Sequence, residues 1–216
     1  MANALSNLAK LSFNAQSRQQ FRQCVISSPR LLTDLSRDFI FEQVFYFGKL
    51  PDLRSVSEPV LVKDHDFLRR IAQLSGSTKD IAVAVTQTPK PTPLDSNARL
   101  IIAFQNINDE HLIGTSLRTA FALGFRHATF IPRLHQELFS PSGIRSHQGV
   151  LWKLPYSEMS LDGVQQFAKK EGLAVLKTEA STGSSNKGAV LLVEEGRSET
   201  DIAVEIYKLA KLYGNS

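Results

Sequence analysis

The stretch at residues 101–124 constrains the fold most strongly, because its hydrophobic period changes from strand to helix within a few residues. Residues 101–104 form a continuous apolar run, which is typical of a strand buried on both faces. Apolar residues then recur at helical spacing, at Ile113, Leu117, Ala120 and Leu123. The sequence therefore predicts a strand, a polar turn and an amphipathic helix.

Arg118 lies in the second turn of this helix, on the side that we expect to face the protein. In open α/β folds, ligands bind where a strand ends and the next helix begins, so the turn at residues 106–111 and Arg118 form a candidate site. An ordinary strand-turn-helix with a solvated arginine is the alternative, and spacing alone favours it.

Length and composition exclude several classes of protein. The chain has 216 residues, of which 42% are hydrophobic and 21% charged, enough to bury a core and to form two modest domains. Its one cysteine, Cys24, excludes an internal disulfide framework and a cysteine-based zinc cluster, and it fits a reducing compartment. The histidines have neither helical spacing nor cysteine neighbours, so no metal site is predicted. No apolar run is long enough for a membrane span, so no membrane association is predicted.

The first 33 residues contain basic side chains and no acidic one. This composition is compatible with an organelle-targeting leader. We favour a folded segment, because residues 24–27 already have a strand pattern and residues 29–35 a helix pattern. A bacterial cytoplasm is the expected location, and a mitochondrial matrix is the alternative.

The chain divides at a proline-rich segment. Residues 1–87 alternate helix and strand patterns and predict a small α/β/α domain. Residues 88–97 carry three prolines and no periodicity, which indicates a semi-rigid linker. Residues 98–216 alternate strands and helices, which predicts a parallel sheet with helices on both faces. Within this part we expect an irregular stretch at 139–148, a strand at 150–154 and a last helix at 200–213.

Basic residues concentrate in one segment of the second domain. Five cations lie between residues 118 and 153 against a single acid, Glu137. A segment of this charge tends to meet phosphates, and a solvated basic face is the alternative. The candidate RNA contacts in this segment are Arg118, Arg126, Arg133 and Arg145, to which the first domain adds Arg69 and Arg70.

Three segments resemble the motifs of the SpoU (TrmH-like) family of SPOUT-class RNA methyltransferases. The first motif is similar to DEHLIGTSLRTAFALGF, the second to RSHQGVLWKLPY and the third to VLLVEEGRS. The amino-terminal segment SRQQFRQCVISSPRLLTDL also resembles the start of that family's first domain. The segment LSGSTKDIAVAV resembles the end of the same domain. The resemblance spans nearly the whole chain.

The resemblance implies a fold, a reaction and a set of partners. The fold would be a ribosomal-protein-like α/β/α substrate-binding domain followed by a SPOUT-type parallel-sheet domain with a trefoil knot. The reaction would be methylation of an RNA ribose 2′-hydroxyl with S-adenosylmethionine, by a homodimer or by a heterodimer with a related subunit. By the same resemblance, Arg118 and Glu195 would be catalytic, and Glu195, Gly196 and Gly149 would bind the cofactor.

This sequence departs from the family pattern within the site. Leu112 replaces an asparagine of the first motif and His147 a serine of the second. Val193 and Glu194 replace the glycine and asparagine that open the third motif. The loop, strand and Ser-Leu-Asn turn that the family places before its last helix are missing. In the family this piece walls the adenosine pocket and completes the knot, so the sequence leaves open whether the knot is complete here. A valine side chain would intrude where the backbone must approach a ligand closely.

Three hypotheses follow. The chain is a catalytically silent relative that binds structured RNA, with ribosomal RNA favoured over transfer RNA, and that acts in ribosome assembly. Alternatively, it is an active RNA 2′-O-methyltransferase with diverged motifs, and S-adenosylmethionine is its cofactor. The third hypothesis, a nucleotide-binding α/β protein without an RNA role, is disfavoured because no glycine-rich phosphate loop is present.

Overall fold

The computed structural model describes residues 2–54, 56, 58–76, 78–177 and 187–214. Its chain forms two compact units, one of Met1–Thr88 with Gln136–Gly149 and one of Pro89–His135 with Val150–Ser216. We call them the N-terminal and C-terminal units. The predicted domain ranges assign residues 136–149 to the second domain, whereas the compact units place them with the first.

The helices and strands follow one another along both units. In chain order they are α1 (Ala2–Phe13), α2 (Ala15–Phe21), β1 (Gln23–Ser27), α3 (Pro29–Leu35), β2 (Gln43–Phe47), β3 (Val60–Leu61), α4 (His65–Ile71), β4 (Ile81–Gln87), β5 (Leu100–Gln105), α5 (Glu110–Ala122), β6 (His127–Ile131), α6 (Pro141–His147), β7 (Tyr156–Glu158), α7 (Leu161–Glu171), β8 (Ala174–Lys177), β9 (Ala189–Glu194) and α8 (Glu199–Tyr213). Short 3-10 helices span Gln136–Phe139 and Val150–Trp152. In the described part of the chain, no helix has the length and apolar content that a membrane crossing requires.

The N-terminal unit has a four-stranded sheet in the order β1-β4-β2-β3, in which β4 runs antiparallel to both of its neighbours. Helices α3 and α4 begin at the residues that the sequence indicates. The Asp64 carboxylate accepts a hydrogen bond from Phe67 N at 2.9 Å, and Ser28 caps the helix that starts with Pro29. The amino-terminal segment is helical, and Leu8 and Leu11 lie in the core of this unit.

Residues 136–149 contain a helix, α6, where the sequence predicts an irregular stretch. Ser140 caps it, with its hydroxyl accepting from Gly143 N at 3.0 Å, and Pro141 occupies the first turn. A capping serine followed by proline is a helix start signal, and the glycine and serine content concealed it. Buried Arg18 on α2 donates to Glu137 Oε1 at 2.8 Å, an ion pair that holds this segment within the unit.

The C-terminal unit has a parallel sheet in the order β7-β6-β5-β9-β8, as the alternation of strands and helices predicts. One apolar cluster joins Ile101 and Val190 to Val164 and Ala168 of α7. Because neighbouring strand residues point to opposite faces, Ile102 and Leu191 face the other side, where α5 and α8 contact the sheet. Both faces are therefore covered, which explains the continuous apolar runs in β5 and β9.

The strand predicted at residues 150–154 is wrong. Leu154 N donates to Val150 O at 2.8 Å, a helical spacing, and the strand starts only after Pro155 with Tyr156. The preceding linker packs beside this strand, since Thr92 N donates to Tyr156 O at 2.7 Å and the Tyr156 hydroxyl donates to Pro89 O at 3.0 Å. The Gly/Ser/Asn loop expected at 181–187 falls almost wholly outside the described residues.

Two glycines of the C-terminal unit give a matched test of this backbone. We expect Gly188→Ala to lower the free energy of unfolding by about 3 kcal/mol or more, because Gly188 has φ +145° and an added Cβ would overlap the carbonyl oxygen of Arg99. Gly196→Ala is the control. Gly196 has φ +87° but open space around it, so only the backbone strain of about 1–2 kcal/mol applies. Urea denaturation measures both, and equal losses would contradict the structure.

Candidate functional site

The carboxyl ends of β5, β6 and β9 meet at one edge of the parallel sheet. Gln105 is paired with Ile131 on one side and with Glu194 on the other. Asn106 then turns with φ 53° and donates its N–H to Ile131 O at 3.0 Å. Asp109 caps α5 by accepting from His111 N and Leu112 N at 2.9 and 3.0 Å. This carboxyl edge is therefore an ordered polar surface.

The first motif lies on α5 and divides between buried and exposed positions. Gly114, Leu117 and Ala120 are buried, whereas Arg118 is exposed. The expectation that Arg118 lies on the inner side is wrong, because it follows Leu117 by one residue and so points about 100° away from it round the helix. The Thr115 hydroxyl donates to Glu199 Oε1 at 3.4 Å and links this helix to the first turn of α8.

The third motif ends β9 at the same edge. Val193 is fully buried in register with Phe104, so its side chain is part of the core. Glu194 is half-buried and pairs with Lys177 Nζ at 3.0 Å across β8 and β9. Glu195 and Gly196 follow as exposed residues, with Gly196 in a left-handed conformation. Sequence reasoning did not anticipate Lys177 as the partner of Glu194.

The residues described at this edge do not fit S-adenosylmethionine well. A cradle for that cofactor needs small residues and free backbone donors close to the ligand. Here a core valine and an ion-paired glutamate occupy the two motif positions that the family gives to glycine and asparagine. At Gly196, by contrast, the space around the backbone is open, since an added Cβ would meet no atom within 4 Å.

The second motif is divided between the units, with residues 145–149 in the N-terminal unit and residues 150–156 in the C-terminal unit. Gly149 has φ +75°, and an added Cβ would come within 2.9 Å of Leu35 Cδ2, so close packing accounts for the glycine. Its predicted part in cofactor binding stays a prediction. His147 is buried in α6 and donates from Nε2 to Leu138 O at 3.1 Å. Burial lowers the pKa of His147 to about 4, so the side chain is neutral and is no surface neighbour of phosphate.

Arg145 is a structural residue in the N-terminal unit. Its Nη1 donates to Ser27 Oγ at 2.5 Å and to Ala72 O at 2.7 Å, and its Nη2 donates to Gln73 O at 2.9 Å. These acceptors include the carbonyls at the end of α4, which a cation stabilises. Arg145 was expected to contact RNA, but its two terminal nitrogens are engaged inside the protein.

The other basic candidates lie at the surface. Arg126 and Arg133 are exposed in the C-terminal unit and Arg70 in the N-terminal unit. Arg69 is half-buried, with Nε 3.7 Å from Asp66 Oδ1. Arg133 follows β6 at the carboxyl edge, whereas Arg126 precedes β6 and lies at the opposite edge of the sheet. The structure thus separates two arginines that the sequence placed in one basic segment.

No family model and no curated protein matches the sequence. Solved structures match it over nearly its full length. SpoU methyltransferase AviRb from Streptomyces viridochromogenes has 15% identity over 97% of this chain and 96% of its own, with a TM-score of 0.74. An AdoMet-bound rRNA methyltransferase from Sinorhizobium meliloti has 14% identity over 96% and 94%, with a TM-score of 0.72. A putative TrmH-family RNA methyltransferase from Porphyromonas gingivalis has 16% identity over 100% and 99%, with a TM-score of 0.71. The chain therefore has the fold of these RNA methyltransferases, as the motif resemblance predicts.

Substitution of Arg145 tests its structural role. We expect Arg145→Gln to lower the free energy of unfolding by about 2 kcal/mol, because the Ala72 and Gln73 carbonyls lose a charged donor. Arg126→Gln removes the same charge from an exposed position and is the control, with an expected change within about 0.5 kcal/mol. Urea denaturation compares the two variants, and equal free energies of unfolding would refute the structural role of Arg145.

Stability should fall as the pH drops from about 7 to about 5. Burial lowers the pKa of His127 and of His147 to about 4, from an ordinary value of 6.5. Below pH 6.5 the unfolded chain binds protons that the folded chain does not. Each histidine therefore lowers the free energy of unfolding by about 1.4 kcal/mol per pH unit, down to about pH 4. Urea midpoints measure the loss. Ring signals of either histidine that titrate near 6.5 in the folded protein would contradict the burial.

Proposed function

We propose that this chain is a SpoU-type protein that binds structured RNA and has lost methyl transfer, and that it acts as an RNA-binding or ribosome-assembly factor. The observation that carries the proposal is the end of β9, where Val193 is a core residue and Glu194 is paired with Lys177. The full-length likeness in fold to RNA methyltransferases supports the RNA part. Ribosomal RNA is favoured because the Sinorhizobium meliloti neighbour is an rRNA methyltransferase.

Exposed arginines supply the expected RNA contacts. Arg118 on α5 and Arg133 after β6 are exposed in the C-terminal unit, and Arg70, with its half-buried neighbour Arg69, lies in the N-terminal unit. Guanidinium groups bind phosphate oxygens in a bidentate manner, and such contacts position RNA without reading its sequence. Arg126 belongs to this set as well, and Arg145 is omitted because its donors are used internally.

A second copy, or a related subunit, is the proposed protein partner. Helix α8 exposes Val204, Tyr207 and Leu212, at 45%, 58% and 71% of their surface, on a side distinct from its buried Ile202, Ile206 and Leu209. These exposed residues are spaced three and then five positions apart over about two helical turns, and they form a second apolar stripe. An apolar stripe on a terminal helix fits an interface between subunits.

The alternative is an active 2′-O-methyltransferase that uses S-adenosylmethionine. Two observations favour it: Gly196 keeps a left-handed backbone with open surroundings, and Arg118 is exposed. Methyl transfer to a ribose also needs groups that orient the hydroxyl and remove its proton. Leu112 and Val193 occupy positions where the family has polar or small residues, and both are buried apolar side chains here.

Calorimetry separates the two functions. We expect titration with S-adenosylmethionine to give no binding heat, because the motif positions around the cofactor are filled or ion-paired. Titration with a structured ribosomal-RNA fragment should give binding that weakens steeply with salt, since released counterions drive it. Arg118→Gln should weaken that binding several-fold and lower the salt slope by about one unit. Micromolar affinity for S-adenosylmethionine would favour the enzyme, and absence of RNA binding would reject the proposal.

A further inference from the structure

The amino-terminal edge of the C-terminal sheet carries a row of cations. All five strands are parallel, so they all begin at this edge. An exposed basic residue lies shortly before four of them: Arg99 and Arg126 directly precede β5 and β6, Lys187 lies two residues before β9, and Lys153 lies three residues before β7. We call these four residues the amino-edge cations. Three of them, Arg99, Lys153 and Lys187, were not among the residues that the sequence indicated for RNA.

Backbone hydrogen bonds place these cations on adjacent strands. Arg126 N donates to Leu100 O at 3.0 Å, and Ala189 N donates to Arg99 O at 2.7 Å. On the outer side, Ala128 N donates to the carbonyl of Pro155, two residues after Lys153, at 3.0 Å. Adjacent strands lie about 4.8 Å apart, so four strand beginnings span roughly 14 Å. Duplex nucleic acid carries about one negative charge per 1.7 Å of axis, so such a row meets several phosphates at once.

Arg99 and Lys187 also line one cavity of about 440 Å³, together with Ser96, Asn97, Ala98, Glu171 and Leu173. The Lys187 side chain lies over Gly172, since an added Cβ there would come within 3.2 Å of Lys187 Cδ. The acids at this edge have local partners. Asp95 Oδ1 accepts from Asn97 N at 2.9 Å, and Glu171 Oε1 is 3.7 Å from Lys170 Nζ.

The opposite edge carries an excess of acidic residues, and Arg133 and Lys177 also lie there. Acidic residues lie at or beside the carboxyl ends of the strands, at Asp109, Glu158, Glu194, Glu195 and Glu199. A polyanion is therefore attracted to the amino edge more than to the carboxyl edge. Cations also stabilise helix carboxyl termini, which accounts for Arg126 after α5. That reason does not apply to Arg99, which follows the proline-rich linker rather than a helix.

We propose that the amino-edge cations form a docking surface for an RNA backbone, distinct from the carboxyl edge where the first motif begins and the third motif ends. The proposal rests on the RNA binding proposed above and adds where a strand of phosphates lies. Contacts of this kind recognise phosphate rather than base sequence, so the surface would hold structured RNA in place without selecting it.

The test uses the full chain and a fluorescein-labelled stem-loop RNA, with affinity measured by fluorescence anisotropy over a range of salt. The double variant Arg99→Gln/Arg126→Gln should weaken binding about tenfold or more and lower the salt slope by about two units, one per lost phosphate contact. The control, Lys10→Gln/Lys49→Gln, removes the same charge from exposed positions in the N-terminal unit and should change affinity less than about twofold. Thermal unfolding of both variants checks that the fold is kept.

The outcomes separate this proposal from the function on which it rests. If the unaltered chain does not bind the stem-loop, both the docking surface and the RNA-binding function are refuted. If it binds and the two double variants behave alike, the docking surface is refuted and the RNA-binding function stands. Photo-cross-linking of a 4-thiouridine-substituted stem-loop gives an independent measurement. Cross-linked peptides that contain Arg99 or Arg126 support the surface, and cross-links confined to the segments of Arg118, Arg133 and Arg70 overturn it.

Discussion

Strand β5 is paired on both sides, with β6 and with β9. This parallel pairing determines at which edge of the sheet the polar residues that flank the strands lie. Because the strands are parallel, residues that precede them share one edge of the sheet and residues that follow them share the other. Arg126 and Arg133 are separated by a single strand of the chain, yet they lie at opposite edges. The pairing thus brings Arg99 and Arg126 together at one edge and places Arg133 at the other, with Glu194.

At the carboxyl edge, a position that the family motif gives to glycine is part of the core. Burial of a valine side chain stabilises a fold by about 1.5–3 kcal/mol, and Val193 is fully buried between paired strands. Its neighbour Glu194 is paired with Lys177 across β8 and β9. Under the function proposed above, the scaffold would persist without the cofactor, because Val193 contributes to the stability of the sheet.

In the N-terminal unit, basic residues are used for packing as well as for the surface. Arg18 is 1% exposed and donates to Leu11 O, Ser12 O and Glu137 Oε1, so it satisfies the end of α1 and attaches residues 136–149. Arg145 does the same for the end of α4. Both arginines hold two helices together by donating to carbonyls at helix ends. The charge of a sequence segment is therefore a poor guide to the charge of the surface it forms.

The sequence by itself determined strand β5, the helices α5 and α8, the capped helices α3 and α4, and the parallel sheet, because hydrophobic period and capping residues act over a few neighbouring positions. The motif resemblance also led to the fold that the solved structures support. Helix α6 and the late start of β7 were missed, because glycine, serine and proline gave weak local signals that burial overrode. Only the tertiary structure decided that Arg118 is exposed, that Arg145 and His147 are internal, and that Arg99, Arg126 and Lys187 share an edge. These properties depend on which distant residues pack or pair together, and no local pattern in the chain contains that information.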